Sequence, residues 1–193
     1  MSPSPGDGRS LPAVARFLYS VSMSVDGFIA GPDGDMQWLT PYLGPNPMVT
    51  DLIGDIGALL IGRRTWGGDD PHKGDEGEGK AFGGGWEGAQ FVLTHHPPDE
   101  PMDGITYVTD LDEAVALSSA AAGDRYVNVM GADVARQLLA AGHLDEVLTI
   151  VVPVLLGDGT RLFAWPGGHE VRLERTRLSE VPHATNLWFR VLR

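Results

Sequence analysis

The chain has 193 residues, 42% hydrophobic and 21% charged, enough apolar material for one sizeable core. A formal net charge of −12 repels polyanions and argues against a nucleic-acid partner, and the absence of cysteine excludes a disulfide framework, a thiol nucleophile and a cysteine-based metal site. No run approaches the roughly 18 apolar residues of a membrane span and the first residues do not pattern as a secretory leader, so a cytoplasmic protein without membrane contact is expected.

Residues 1–13, rich in Pro, Ser and Gly, read as a disordered tail, and residues 14–193 as a single domain. Phe17 to Met23 alternates apolar with small or polar residues and predicts a first strand. The turn pairs Asp26-Gly27, Gly31-Pro32 and Asp33-Gly34 follow, on a loop that carries Phe28, Ile29, Met36 and Trp38 back over the core or over a flat ligand. Pro47 to Ile56 has Met48, Leu52, Ile53 and Ile56 at helical spacing, with Pro47 suited to the first turn. Ala58 to Ile61 is a buried-strand candidate that ends at Gly62 and delivers Arg63, Arg64 and Thr65 past its C-terminal end, where open α/β sheets bind ligands. The arginine fork suits phosphate oxygens; the plainer reading is a solvated basic turn.

Residues 67–88 hold nine glycines and six acids and read as a mobile insertion. Inside it, Gly74, Gly79 and Lys80 imitate a P-loop. Ala81 stands where the hydroxyl that binds magnesium is needed, no strand leads in, and three acids would repel phosphates, so that reading is rejected. Ala89 to Leu93 is a further strand, closed by Thr94-His95-His96. Two adjacent histidines without a third ligand at metal spacing do not make a zinc site, and no metal is expected. Ile105 to Val108 predicts a short strand, and Asp110 to Ala122 a helix capped by its first residue.

Arg125 to Met130 has the profile of a strand covered on both faces. Gly131 ends it, and from Ala132 the spacing becomes helical through Asp133 and Val134 to a stop at Gly142. Such a helix start leaves N–H groups unpaired and suits a pyrophosphate; an ordinary βα turn that binds nothing is the alternative. A long strand follows, and Val171 to Val181 with Leu187 to Leu192 predict a closing antiparallel hairpin. The sum is an α/β fold with a mixed, mostly parallel sheet and ligands across the strand ends. Three of those ends carry phosphate-suited groups, as a phosphorylated dinucleotide would require, and a 2′-phosphate would favour NADPH over NADH.

Taken together, SMSVDGFIAGPDGDMQWL, GRRTW, VLTHHPP and VNVMGADVARQLLAAGHLDEVLTIVVPVLLGDGTRLF resemble the dihydrofolate-reductase-like superfamily, in the branch of the riboflavin-biosynthesis reductase (RibD C-terminal) domain. The resemblance spans residues 16–193 apart from the insertion. It implies a three-layer fold, NADPH as hydride donor, a small heterocyclic or carbonyl substrate, and a homodimer. By the same resemblance Gly62, Arg63, Arg64 and Thr65 contact the cofactor phosphates, Thr94 and His95 the 2′-phosphate, and Gly131, Ala132, Asp133 and Val134 the pyrophosphate. Ile29 and Ala30 lie beside the nicotinamide, Phe28 and Trp38 at the substrate, and Asp26 is the candidate catalytic residue, orienting a ring or relaying a proton. The substrate half departs from the pattern. Thr40 to Gly44 contain no acid where folate reductases have one, and Ser20 and Met130 stand where riboflavin-type reductases place a lysine and an acid. A cofactor-binding module without turnover and a flavin- or deazaflavin-using reductase are the alternatives.

Overall fold

A computed structural model describes residues 15–193; the tail expected at 1–13 lies outside the described residues. The core is a sheet of eight strands: β1 (Arg16–Ser24), β3 (Ile56–Gly62), β4 (Ala89–Leu93), β5 (Ile105–Val108), β6 (Tyr126–Met130), β7 (Leu144–Val152), β9 (Leu173–Val181) and β10 (Ala184–Val191). In space the order is β5-β4-β3-β6-β1-β7-β10-β9. From β5 to β7 every pair is parallel; β10 then runs antiparallel to β7, and β9 antiparallel to β10. This is the predicted mixed sheet with its hairpin.

Two strands were not expected. β2 (Phe28–Ala30) pairs antiparallel with β8 (Thr160–Arg161) in a separate ribbon. Three and two residues are too few for a period of two to show in sequence, and only the distant partner makes them strands.

The sheet is covered on both faces. One face carries Phe17, Tyr19, Ala58, Leu60, Val127 and Val129 beneath α3 (Leu111–Ala122) and α4 (Ala132–Ala140). The other carries Leu18, Leu59, Ile61 and Leu148 beneath α1 (Pro47–Asp55) and Trp86. β3 is buried along its whole length, which explains its unbroken apolar run. The helix boundaries follow local chemistry. Asp110 caps α3 by accepting from the Glu113 N–H (3.0 Å), and α1 opens on Pro47. No helix among the described residues is long and apolar enough to cross a membrane.

The insertion is more firmly held than its composition suggests. It forms turns and one short 3-10 helix, and Trp86, 9% exposed, donates from Nε1 to the Ile56 carbonyl (3.1 Å). At the end of the sheet remote from the strand tips, Glu146 gathers Tyr126 Oη (3.1 Å), Trp188 Nε1 (2.5 Å) and Arg16 Nη1 (3.0 Å), joining β1, β6, β7 and β10. Burial, and then the Glu146 charge, push the Tyr126 hydroxyl up to about 12, so it stays a donor to Glu146.

Candidate functional site

Parallel register decides which side chains can meet. Gly62 pairs with Leu93, and Ile61 with Met130, so the C-terminal tips of β4, β3 and β6 end level and side by side. With neighbouring strands about 4.8 Å apart, the three segments that follow are within reach of one extended ligand.

Past Gly62 the chain makes a single helical turn, α2 (Arg63–Trp66). Arg63, Arg64 and Thr65 are exposed there, and among the described residues neither arginine makes an ion pair. In a chain with this many carboxylates, two adjacent guanidinium groups without a direct ion-pair partner are a localised positive spot, although the Asp133 carboxylate lies near Arg64. Gly131 adopts φ +114°, and a Cβ there would come 2.7 Å from Thr65 Oγ1. Glycine is therefore required both by the backbone and by the approach of α2. No side chain caps α4, whose first N–H groups stay available at Ala132 and Asp133 beside α2. An anion fits this arrangement: unpaired cations, a bare helix start and a hydroxyl on adjoining strand tips.

Other expected contacts need correction. The Asp133 carboxylate is already engaged by Arg136 (2.8 Å) and Gln137 (2.9 Å), which with the nearby Arg64 hold it below its usual range, so Asp133 offers its backbone N–H only. Thr94 is buried at 5% exposure, and its hydroxyl closes a local turn, accepting from the His96 N–H (3.2 Å) and donating to the His96 carbonyl (3.3 Å). Of the pair only His95 is exposed to meet a ligand. Gly62 and Val134 are packing residues: a Cβ on Gly62 would lie 3.1 Å from Val134 Cγ2, so the bare glycine lets α4 settle against β3.

The corner formed by β1, β2, β7 and β8 differs. Asp26 accepts from Ser24 Oγ (2.6 Å), Leu156 N–H (3.1 Å) and Gly157 N–H (2.7 Å). Ser24, fully buried, accepts in turn from the Phe28 N–H (2.9 Å). The Ser24 hydroxyl first, and then the two backbone donors, bring the Asp26 carboxyl down to about 2. With three donors on its two oxygens, Asp26 is a clasp between the first turn and the 156–157 loop. Phe28 is buried under the Arg161 guanidinium, 4.4 Å above its ring, rather than open to a substrate. Ile29 and Ala30 are buried within the β2–β8 ribbon. There Gly159, at φ +133°, lies so close to the Ala30 carbonyl that no side chain could be built on it.

Between the two corners, the face of the sheet beneath α1 is only partly covered toward the strand tips. Ser20, Ser22, Met130 and Ile150 are half-buried there although they sit on central strands. Beside them Asn128, fully buried, accepts from Ser20 Oγ (2.6 Å) and keeps an amide nitrogen without a protein partner. Trp38, half-buried in a 3-10 turn (Gln37–Tyr42), likewise keeps its indole N–H unpartnered. Sequence reasoning missed Asn128 and the role of Ser20 and Ser22. The available signal was small polar residues on the inward-facing positions of a central strand.

The RibD C-terminal domain model matches residues 17–186. The chain belongs to that family. This RibD C-terminal domain is 25% identical over 153 residues to the uncharacterised Bacillus subtilis protein YyaP, covering 77% of this chain and 80% of YyaP. A protein of Shewanella sp. PV-4 named for riboflavin biosynthesis superposes with a TM-score of 0.72 at 20% identity, over 92% of this chain and 99% of that one. A dihydrofolate reductase of Enterococcus faecalis, complexed with NADP(H), superposes at 0.60 and 17% identity over 92% and 98%. The fold of this RibD C-terminal domain is dihydrofolate-reductase-like, as its motifs imply.

A groove of about 630 Å³ at the opposite end of the sheet, lined by Leu139, Leu144, Val171, Arg172 and Leu192, does not compete as the site. Its arginines Arg172 and Arg193 are already paired with Glu170 and Asp145.

Proposed function

We propose that this RibD C-terminal domain is an NADPH-dependent reductase of a small heterocyclic or carbonyl substrate. The observation that carries the reading is the pair of exposed arginines on α2, neither in an ion pair, beside the uncapped start of α4 and the exposed His95. The family match supports it, as does the likeness in fold to a reductase complexed with NADP(H). Bound there, the nicotinamide cofactor would supply a hydride. Arg63, Arg64 and His95 would hold its 2′-phosphate, and the Gly131, Ala132 and Asp133 backbone its pyrophosphate. The Asp26 clasp fixes the turn that leads into Ile29 and Ala30, beside which the ring would lie. Ser20, Ser22 and Asn128 give the floor hydroxyl and amide groups, suited to a ring carrying carbonyl or nitrogen acceptors.

A second reading has an observation of its own: among the described residues, none of those named for the partly open floor carries a carboxyl group, and the Asp26 carboxylate is already engaged by three donors. A module that binds NADP(H) without turnover would look the same. Fluorescence titration with NADPH and NADH, followed by oxidation assays against pterins, pyrimidines and quinones, separates the two. NADPH preference with oxidation supports the reductase, NADPH preference without oxidation by any acceptor supports the module, and no binding of NADPH removes both. A coloured purified protein would point instead to a flavin or deazaflavin in the same groove. A homodimer is proposed from the same resemblance, and light scattering at micromolar concentration tests it.

A further inference from the structure

The residues after α2 make directed contacts to two earlier segments of the chain. Backward, Gly67 N–H donates to the Arg63 carbonyl (3.2 Å) and Gly68 N–H to the Thr65 carbonyl (3.3 Å), which closes α2. Further back in sequence, a single oxygen of Asp69, Oδ2, accepts from the Met36 N–H (3.1 Å) and from Gln37 Nε2 (2.9 Å). Gln37 Nε2 also donates to the Asp70 carbonyl (2.8 Å), and Thr40 Oγ1 donates to the Pro71 carbonyl (2.8 Å). Met36, Gln37 and Thr40 flank Trp38. Asp70 shapes the segment itself by accepting from the N–H groups of His72 (2.8 Å) and Gly79 (2.6 Å).

The turn so gripped has little stability of its own. Six residues is long for a 3-10 stretch, this one contains Pro41, and its N-cap Met36 supplies no side-chain cap, the Gln37 N–H being taken instead by Asp35 Oδ1 (3.0 Å). Leu39 anchors it in the core from one side; Asp35 holds its first N–H, and the 69–71 backbone with the Asp69 carboxylate grips it from the other. The Gln37 side chain first, and the Met36 N–H second, hold that carboxyl below its usual range, as expected of a working acceptor.

We infer that Asp69 is a positioning residue, which fixes the Trp38 turn against the segment that closes α2 and so sets where the indole stands relative to the sheet floor. The insertion is then a strap with a defined contact. Its consequence for substrate fit rests on the reductase reading; the contact itself does not.

Hydrogen exchange at the Leu39 and Leu43 amides tests this, because they donate within the turn, to Met36 (3.1 Å) and Thr40 (3.3 Å), and do not touch Asp69. D69A should speed exchange at both by about tenfold while amides of β3 and β6 keep their protection. Both bonds end on one oxygen, which an asparagine carbonyl can replace, so D69N should restore slow exchange. NADPH affinity of D69A should stay within about twofold of the parent, since Asp69 is not a phosphate contact. Unchanged exchange at Leu39 and Leu43 in D69A overturns the inference, as does D69N behaving like D69A. Should D69A fail to fold, Q37A removes half of the same grip from the exposed side, and the same two amides decide. If the parent protein does not bind NADPH the reductase reading falls, and the exchange comparison still judges the strap alone.

Discussion

The two corners at the strand tips are built from similar material and finished differently. At the tips of β3, β4 and β6, Arg63, Arg64 and His95 are exposed, the arginines lack ion pairs, and the start of α4 has no cap. At the tips of β1 and β7, Asp26, Ser24 and Arg161 are engaged with one another or with backbone. Satisfied polar groups contribute to folding, and unsatisfied ones remain available to something outside the chain. The first corner is therefore where binding should be lost by substitution, and the second is where stability should be lost.

The sharpest test of that division is the double substitution R63A/R64A. It should weaken NADPH by roughly 2–4 kcal/mol, with NADH much less affected and the melting temperature little changed. Equal weakening of both cofactors would put the 2′-phosphate elsewhere. Next in size, G131A combines a strained backbone with a contact to Thr65. It should cost about 1–3 kcal/mol, or several degrees in thermal melting, whereas G142A, at φ +76° with open surroundings, should cost less. If the two glycines respond alike, the close approach of α2 to β6 is not a constraint.

At the second corner the clasp predicts a pH dependence with a definite sign. The Asp26 carboxyl is lowered from 3.8 to about 2 on folding, so its stabilisation is present above about pH 4 and is lost as pH falls toward 2. D26N should melt below the parent at neutral pH, and the gap should close over that interval. A gap independent of pH would mean that the carboxylate charge plays no part. The smallest effect is expected from R161A, which uncovers the Phe28 ring and should cost about 0.5–1 kcal/mol in denaturant unfolding.

What the sequence disclosed depended on how local the cause was. The buried run of β3, the Asp110 cap of α3 and the Gly131 stop of β6 are each written in a few neighbouring residues. The structure places them as expected, with Ile56–Gly62 extending the predicted 58–61. The level alignment of three strand tips was also legible, because parallel strands with short connections bring their C-terminal ends to one edge. The use of individual side chains was not. Thr94 and Asp133 are the residue types a phosphate site uses, but a turn partner two residues away and a helix neighbour four away claim them first. Asp26 reads as a turn residue because two of its three partners, Leu156 and Gly157, lie 130 and 131 residues downstream. The insertion reads as loose because nothing in its glycine and acid content reveals that Trp86 reaches the Ile56 carbonyl or that Asp69 reaches Met36.

The contact of Gly159 with the Ala30 main chain bears on any effort to re-tool the molecule. A combinatorial library that diversifies the 153–161 loop can vary the exposed Asp158 widely, but a codon for anything other than glycine at the next position would prise the ribbon apart. Selections that hold that codon constant spare the Ala30 contact, provided that the residues clasping Asp26 and covering Phe28 are kept as well.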